Sequence, residues 1–387
     1  MVTALTTLPV ARSGRRPYPC ITAPLSVEVR RGRRGSSPRA TRTGGVPGGC
    51  YTATIGMYSL RLLYSTLALT LCSAPASGAA PAPLDEAAAV RLGAKLFEDT
   101  ALSADGSVSC ANCHNPGQGF ADHRPVSRGV GGAAGTRNAP TLLGVGRAQA
   151  FFWDGRRPSL ESVMLDPLLH PREHGMPSSQ AVAAVVSKRY GAAFQRAWGP
   201  IAVTPEAVAL TLARFVKALG TDAPRLADGH APHLTEAQVR GRHLFEGRAQ
   251  CSRCHLTQPE ASAFTDDLYH PGEVPAALMP QLATVAREVA TWPEARRFAA
   301  IAERPDVAAL GRFVVTLQPA DIACFRTPTL RNVARTAPYM HDGSVATLRE
   351  AVEREIYWRS EVDAPLGRLT PQERQDLVAF LESLSYP

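Results

Sequence analysis

Apolar residues recur at helical spacing in several bounded stretches of this chain. Thr204-Pro205-Glu206 opens a helix with proline at its first position; Val208, Leu212, Phe215 and Leu219 fall on one face, and Gly220 ends it. Thr235 opens a second helix, with Gln238 three residues on completing a capping box. Thr370-Pro371-Gln372-Glu373 opens the last, whose Leu377, Leu381 and Leu384 form an apolar face. Residues 275–311 are Ala-rich and read as helical. Gly- and Pro-rich stretches such as 128–140 separate these elements. Strand signals are weak, and 313–317 is the best of them. The pattern predicts a mainly α chain with long ordered loops.

The pattern repeats once. Gly93-x-x-Leu96-Phe97 leads into Cys110-Ala111-Asn112-Cys113-His114, and Gly241-x-x-Leu244-Phe245 leads into Cys251-Ser252-Arg253-Cys254-His255. Phe120-Ala121-Asp122 follows the first motif and Phe264-Thr265-Asp266 the second. This predicts an internal duplication with two domains, 81–222 and 223–387, joined by a polar hinge from Thr221 to Pro232. The C-x-x-C-H spacing has a chemical reason. Two cysteines three apart can each form a thioether with a haem vinyl group, and the adjacent histidine can ligate the iron. Zinc ribbons set their Cys pairs about 15–20 residues apart, far closer than these two motifs. A disulfide would leave both histidines unexplained. Two covalently bound haem c groups are expected, at Cys110, Cys113 and His114 and at Cys251, Cys254 and His255, each in a cytochrome c-like domain.

Charge and the N-terminal region refine this picture. From Met57 the chain shows Arg61, an apolar run from Leu62 to Leu71 and then small residues to Ala80, the layout of a secretory signal over 57–80. The run is too short to span a membrane stably. Residues 1–56 precede it, lack periodicity and read as a mis-assigned start or a disordered leader. They carry nine Arg and one Glu, the whole of the formal net charge of +8. With Arg61 also set aside, 32 basic and 33 acidic residues remain in 81–387, so nothing points to nucleic acid. Of the eight cysteines, Cys20, Cys50 and Cys72 fall before residue 81 and four belong to the motifs. Cys324 is left alone, so no structural disulfide is expected. Export and haem attachment together predict a periplasmic protein.

Five further stretches resemble the bacterial di-haem cytochrome c peroxidase family, which includes the MauG-type enzymes. They are Leu102-Ser103-x-Asp105-Gly106-x-Val108-Ser109-Cys110, Arg137-Asn138-Ala139-Pro140-Thr141, Phe152-Trp153-Asp154-Gly155-Arg156, the run from Phe325 to Asn332, and Ala337-Pro338-Tyr339-Met340-His341-Asp342-Gly343. The resemblance implies that the C-terminal haem accepts electrons and the N-terminal haem meets hydrogen peroxide. It implies that Glu173, six residues after Pro167, moves protons as the O–O bond breaks, where spacing alone reads it as a solvated loop carboxylate. Val163 stands where the family often has a Gln. His170 and His174 flank Glu173 and are secondary candidates for proton handling. Val130 stands where peroxidases of the family hold a blocking loop His, which implies an open first haem; His123 is the nearby alternative ligand. Trp153 matches an inter-haem tryptophan, and Asn138, Thr336 and Pro338 match an inter-domain Ca²⁺ site.

The sixth ligand of the second haem stays open. Where the family places Met, fourteen residues after His341, this chain has Glu355. MauG-type enzymes use a Tyr nearby, which makes Tyr357 the first candidate and Met340 the second. The expected activity is reduction of hydrogen peroxide with electrons from a small cytochrome or copper protein. One alternative is a MauG-type oxidase of a partner protein's Trp or Tyr side chains, although Ala249 replaces the Trp that those enzymes place two before the second motif. Another is a non-catalytic di-haem electron carrier. The family is often dimeric, and a homodimer is possible on that ground alone.

Overall fold

The three strongest helix starts are each realised by a side-chain cap. Thr204 accepts from the Ala207 amide, while Thr235 with Gln238 and Thr370 with Glu373 form reciprocal capping boxes. A computed structural model describes residues 85–220, 234–257, 263–362 and 369–385, which belong to one compact unit. The leader, the signal and the hinge lie outside the described residues. In chain order the described helices are α1 (Glu86–Glu98), α2 (Cys110–Cys113), α3 (Leu160–Val163), α4 (Leu165–Leu169), α5 (Ser179–Trp198), α6 (Pro205–Ala218), α7 (Glu236–Glu246), α8 (Leu282–Val289), α9 (Glu294–Ile301), α10 (Pro305–Ala308), α11 (Phe313–Thr316), α12 (Leu348–Val362) and α13 (Pro371–Glu382). Two three-residue strands, β1 (Tyr269–Pro271) and β2 (Cys324–Arg326), pair antiparallel with His270 opposite Phe325.

The apolar faces collect into three main cores. The first gathers Leu92, Leu96, Phe194, Val208 and Leu212 where α1, α5 and α6 meet. The second holds Val289, Leu310, Phe313 and Val314 among the short helices after β1. The third joins Phe245 on α7 to Leu377, Phe380 and Leu381 on α13. The Ala-rich stretch is helical as expected but broken into α8, α9 and α10. The expected strand at 313–317 is instead the single helical turn α11. Its β-branched run fits a buried strand or a buried helix equally. Gly311 and Leu317 in left-handed conformations close the turn at both ends, and the Leu317 amide donates to the Phe313 carbonyl at 2.8 Å. Cys324 is disulfide-bonded, which corrects the expectation that it stands alone.

Helix contact before each motif follows one rule. A Cβ added to Gly93 on α1 would lie 2.5 Å from the Thr211 carbonyl oxygen and 2.6 Å from Phe215 Cβ on α6. One added to Gly241 on α7 would collide with the Asp376 carbonyl and lie 2.8 Å from Phe380 Cβ on α13. Each motif therefore follows a helix whose glycine lets it lie directly on a later helix. Gly241→Ala is expected to destabilise the fold by about 1–3 kcal/mol through overpacking, read as a lower denaturant midpoint at unchanged slope.

Candidate functional site

The first motif is the helical turn α2 with His114 as its C-cap. His114 Nδ1 lies 3.2 Å from the Phe120 carbonyl oxygen and 3.1 Å from that of Pro140. Carbonyls only accept, so Nδ1 carries the proton and Nε2 is the nitrogen left to bind a metal. Burial lowers the pKa of the ring, outweighing the two carbonyls, and keeps it in the neutral form that a ligand needs. His255 repeats this, with Nδ1 2.9 Å from the Phe264 carbonyl oxygen and burial again holding the ring neutral. Phe120 and Phe264 both adopt left-handed backbone, which turns their carbonyls onto the rings.

The aspartate after each phenylalanine is tied to a cation beside its motif. Asp122 accepts from Arg124 at 2.8 and 2.9 Å and from the Ser127 hydroxyl at 2.7 Å. Asp266 is 2.8 Å from His270 Nε2, a bond that chiefly pushes the His270 pKa up to about 9. All four motif cysteines are free thiols, and burial pushes Cys110 and Cys251 up to about 12. Cys254, Asp266 and His270 can bring their ligand atoms within 4.8 Å of one another. That trio would compete with thioether formation, and the repeated C-x-x-C-H spacing favours the thioether.

Glu173 lies in the tight turn after α4, sixty residues from the first motif in sequence yet close enough to act electrostatically on both Cys110 and Cys113. Burial pushes its carboxyl above the usual range, and the charges of His170 and Arg156 counter this only in part. Its own carbonyl accepts from the Val130 amide at 2.8 Å. A Cβ on Gly129 would lie 2.6 Å from Glu173 Cα, so glycine lets the loop lie flat on this turn. His174 is buried, with Nδ1 3.0 Å from the Leu102 carbonyl oxygen. His170 Nδ1 accepts from the Arg172 amide at 3.2 Å. His123 is exposed and 3.1 Å from Gln118.

A cavity of about 780 Å³ surrounds the second motif. Cys251, Cys254 and His255 line it together with Leu330, Leu348, Val352, Leu377 and other residues. Trp153 and the segment 138–140 form another part of its wall. Trp153 Nε1 donates to the Asn138 carbonyl at 2.9 Å, and its own carbonyl accepts from the Arg326 amide at 2.8 Å. Pro140 thus borders this cavity while its carbonyl holds His114. Thr336, Pro338 and Met340 also line it. Asn138 Nδ2 lies 3.3 Å from the carbonyls of Arg124 and Pro125, which leaves Oδ1 as the atom to meet a cation. A cysteine pair beside a histidine whose Nδ1 is held by a carbonyl, within a large, partly apolar cavity, suits a haem; a side-chain oxygen near backbone carbonyls suits Ca²⁺.

Tyr357 is not at this cavity. It is 66% exposed, while Leu348, Val352, Glu355 and Arg359 line the cavity from the other side of α12. The helix runs without an insertion, and two residues of helical rotation carry Tyr357 well away from Glu355. Sequence reasoning also passed over Arg156, although it is written in the Phe152-to-Arg156 motif. Its guanidinium stacks 3.4 Å from the Phe152 ring centroid.

Fold and site together define a mainly helical protein built around two C-x-x-C-H centres. The family model for di-haem cytochrome c peroxidases matches residues 87–227. A cytochrome-c peroxidase of Pseudomonas sp. (strain SCT) is 32% identical over 337 residues, 79% of this chain and 83% of that protein. The methylamine utilization protein MauG of Methylorubrum extorquens is 32% identical over 307 residues, 76% of this chain and 77% of its own. The crystal structure of a MauG-like protein associated with microbial copper homeostasis superposes with a TM-score of 0.61 at 28% identity, covering 78% of this chain and 90% of that one. The chain belongs to the di-haem cytochrome c peroxidase and MauG family, a family of haem-dependent oxidoreductases. None of the described helices is long and apolar enough to cross a membrane.

Asp154 anchors the region between the motifs. It is fully buried and accepts from Arg137 Nη1 at 2.5 Å and from Arg156 Nη1 at 3.0 Å. Burial raises its pKa, but the two guanidiniums win and hold the carboxyl below the usual range. Asp154→Asn leaves two largely buried cations without their counter-charge, and a loss of about 3–5 kcal/mol is expected in urea unfolding.

Proposed function

We propose that the chain is an exported, periplasmic di-haem c-type peroxidase that reduces hydrogen peroxide to water with electrons from a small cytochrome or copper protein. In this reading residues 81–222 form the peroxidatic domain and 223–387 the electron-transfer domain, descended from one duplicated unit. Cys110 and Cys113 would attach the first haem and His114 would ligate its iron; Cys251, Cys254 and His255 would hold the second. The haems supply the redox chemistry when bound. Asn138, Thr336 and Pro338 hold a Ca²⁺ ion between the domains.

The observation that carries the reading is Glu173. A half-buried carboxyl beside the first motif, with its pKa raised by desolvation, suits accepting a proton from peroxide and returning it to the departing oxygen. Reduction of peroxide to two waters consumes two electrons and two protons, so a side chain that shuttles protons is required beside the reacting oxygens. The charges of His170 and Arg156 counter that rise in part. Trp153 stands against Asn138 and borders the cavity of the second motif, a position suited to an electron relay. A MauG-type oxidation of a partner's Trp or Tyr is the second reading, favoured by Val130 in place of a blocking histidine. The displaced Tyr357 and Ala249 weigh against it.

Turnover of peroxide with reduced cytochrome c, compared with turnover of peroxide with a candidate protein substrate, separates these readings. Inert haems would leave a simple electron carrier. Glu173→Gln is expected to lower kcat/KM for peroxide by about 10²-fold or more with both haems retained. As a base Glu173 must be ionised, so wild-type kcat/KM should rise with pH through an apparent pKa above the ordinary glutamate value of about 4.3, and the variant should lack that limb. Trp153→Phe is expected to slow electron transfer between the haems, seen by rapid-mixing spectroscopy, at unchanged haem content.

A further inference from the structure

We propose that Glu355 is the sixth ligand of the second haem iron, across from His255; the inference rests on the di-haem reading above. α12 turns one face to the second cavity, and along it stand Leu348, Val352, Glu355 and Arg359. Glu355 is the carboxylate that this helix face presents to the cavity, among the apolar Leu348 and Val352 and the cationic Arg354 and Arg359. Oε2 accepts from Arg359 Nε at 3.2 Å, and the other carboxylate oxygen has no hydrogen-bond partner among the described residues. Arg354 is held by Glu273, 3.3 Å away, so it does not compete for Glu355.

The alternative is a solvated ion pair of the kind that Arg349 and Glu353 make six residues earlier on α12. That pair does not line the cavity, whereas Arg359 and Glu355, whose side chain is 49% exposed, do. Met340 is the competing ligand. It lies in the turn closed by Tyr339 and Val345, next to the His341 carbonyl that accepts from the Asn138 amide, on the wall shared with Trp153. A carboxylate brings negative charge to the iron and favours the ferric state, where a thioether would favour the ferrous. The second centre would then draw on a low-potential donor, and its oxidised form would be the resting one.

The test compares wild type, Glu355→Gln, Glu355→Met and Met340→Leu by intact mass, resting EPR and optical spectra, and redox titration. Glu355→Gln should change the EPR signal of the second haem and leave the first untouched. Glu355→Met should give the optical signature of thioether ligation and weaken the preference for the ferric form at least tenfold, a rise of about 59 mV for a one-electron couple. Met340→Leu should match wild type. A second-haem signal and potential unchanged in Glu355→Gln, or changed in Met340→Leu, would overturn the assignment. A wild-type mass with fewer than two haems would instead remove the di-haem reading, and this proposal with it.

Discussion

The carbonyl of Pro140 is the contact on which both centres depend. It holds Nδ1 of His114 from one side, while Pro140 itself borders the cavity of His255 on the other. Two residues earlier, the Asn138 carbonyl takes the indole of Trp153 and the Asn138 amide reaches the His341 carbonyl. Three consecutive residues thus form a partition between two sites that lie far apart in sequence. Backbone groups at a buried residue such as Asn138 must be paired, and here one partner is the indole of Trp153. A shift of this segment would disturb the orientation of His114 and the placement of Trp153 together.

A second constraint stiffens that partition. Asp154 follows Trp153 directly and is buried between Arg137 and Arg156. Arg137 precedes Asn138 and also reaches the Ala308 carbonyl at 2.8 Å, while Arg312 donates to the Asp154 carbonyl at 2.8 Å. The ion cluster therefore ties the partition to the short helices of the second core. Arg156 belongs to the same cluster and acts on Glu173, so one buried carboxylate helps set the charge around another. Buried charges of this kind add little net stability but cost much when one partner is lost.

Much of the fold was legible because its signals are local. Caps such as Thr204, Thr235 and Thr370 act within one helical turn, and their helices formed where expected. The stretch 313–317 was misread because a short apolar run has no period to distinguish strand from helix, and glycine and a left-handed leucine outside it decided the matter. Tyr357 was placed at the second centre by counting along the chain. Counting cannot see that an unbroken helix turns that side chain to solvent and presents Glu355 instead.

The sequence by itself determined the chemistry that spacing encodes: two C-x-x-C-H motifs, the glycines that precede them and the family to which the chain belongs. Those features need only a few neighbouring residues at fixed separations. Tertiary structure decided what depends on distant segments meeting. It brought Glu173 to the first motif and let burial raise its pKa, because desolvation is a property of the surrounding protein and not of the residue. It set the shared wall at Pro140, and it turned α12 so that Glu355 lines the cavity that His255 also lines, while Tyr357 stands exposed.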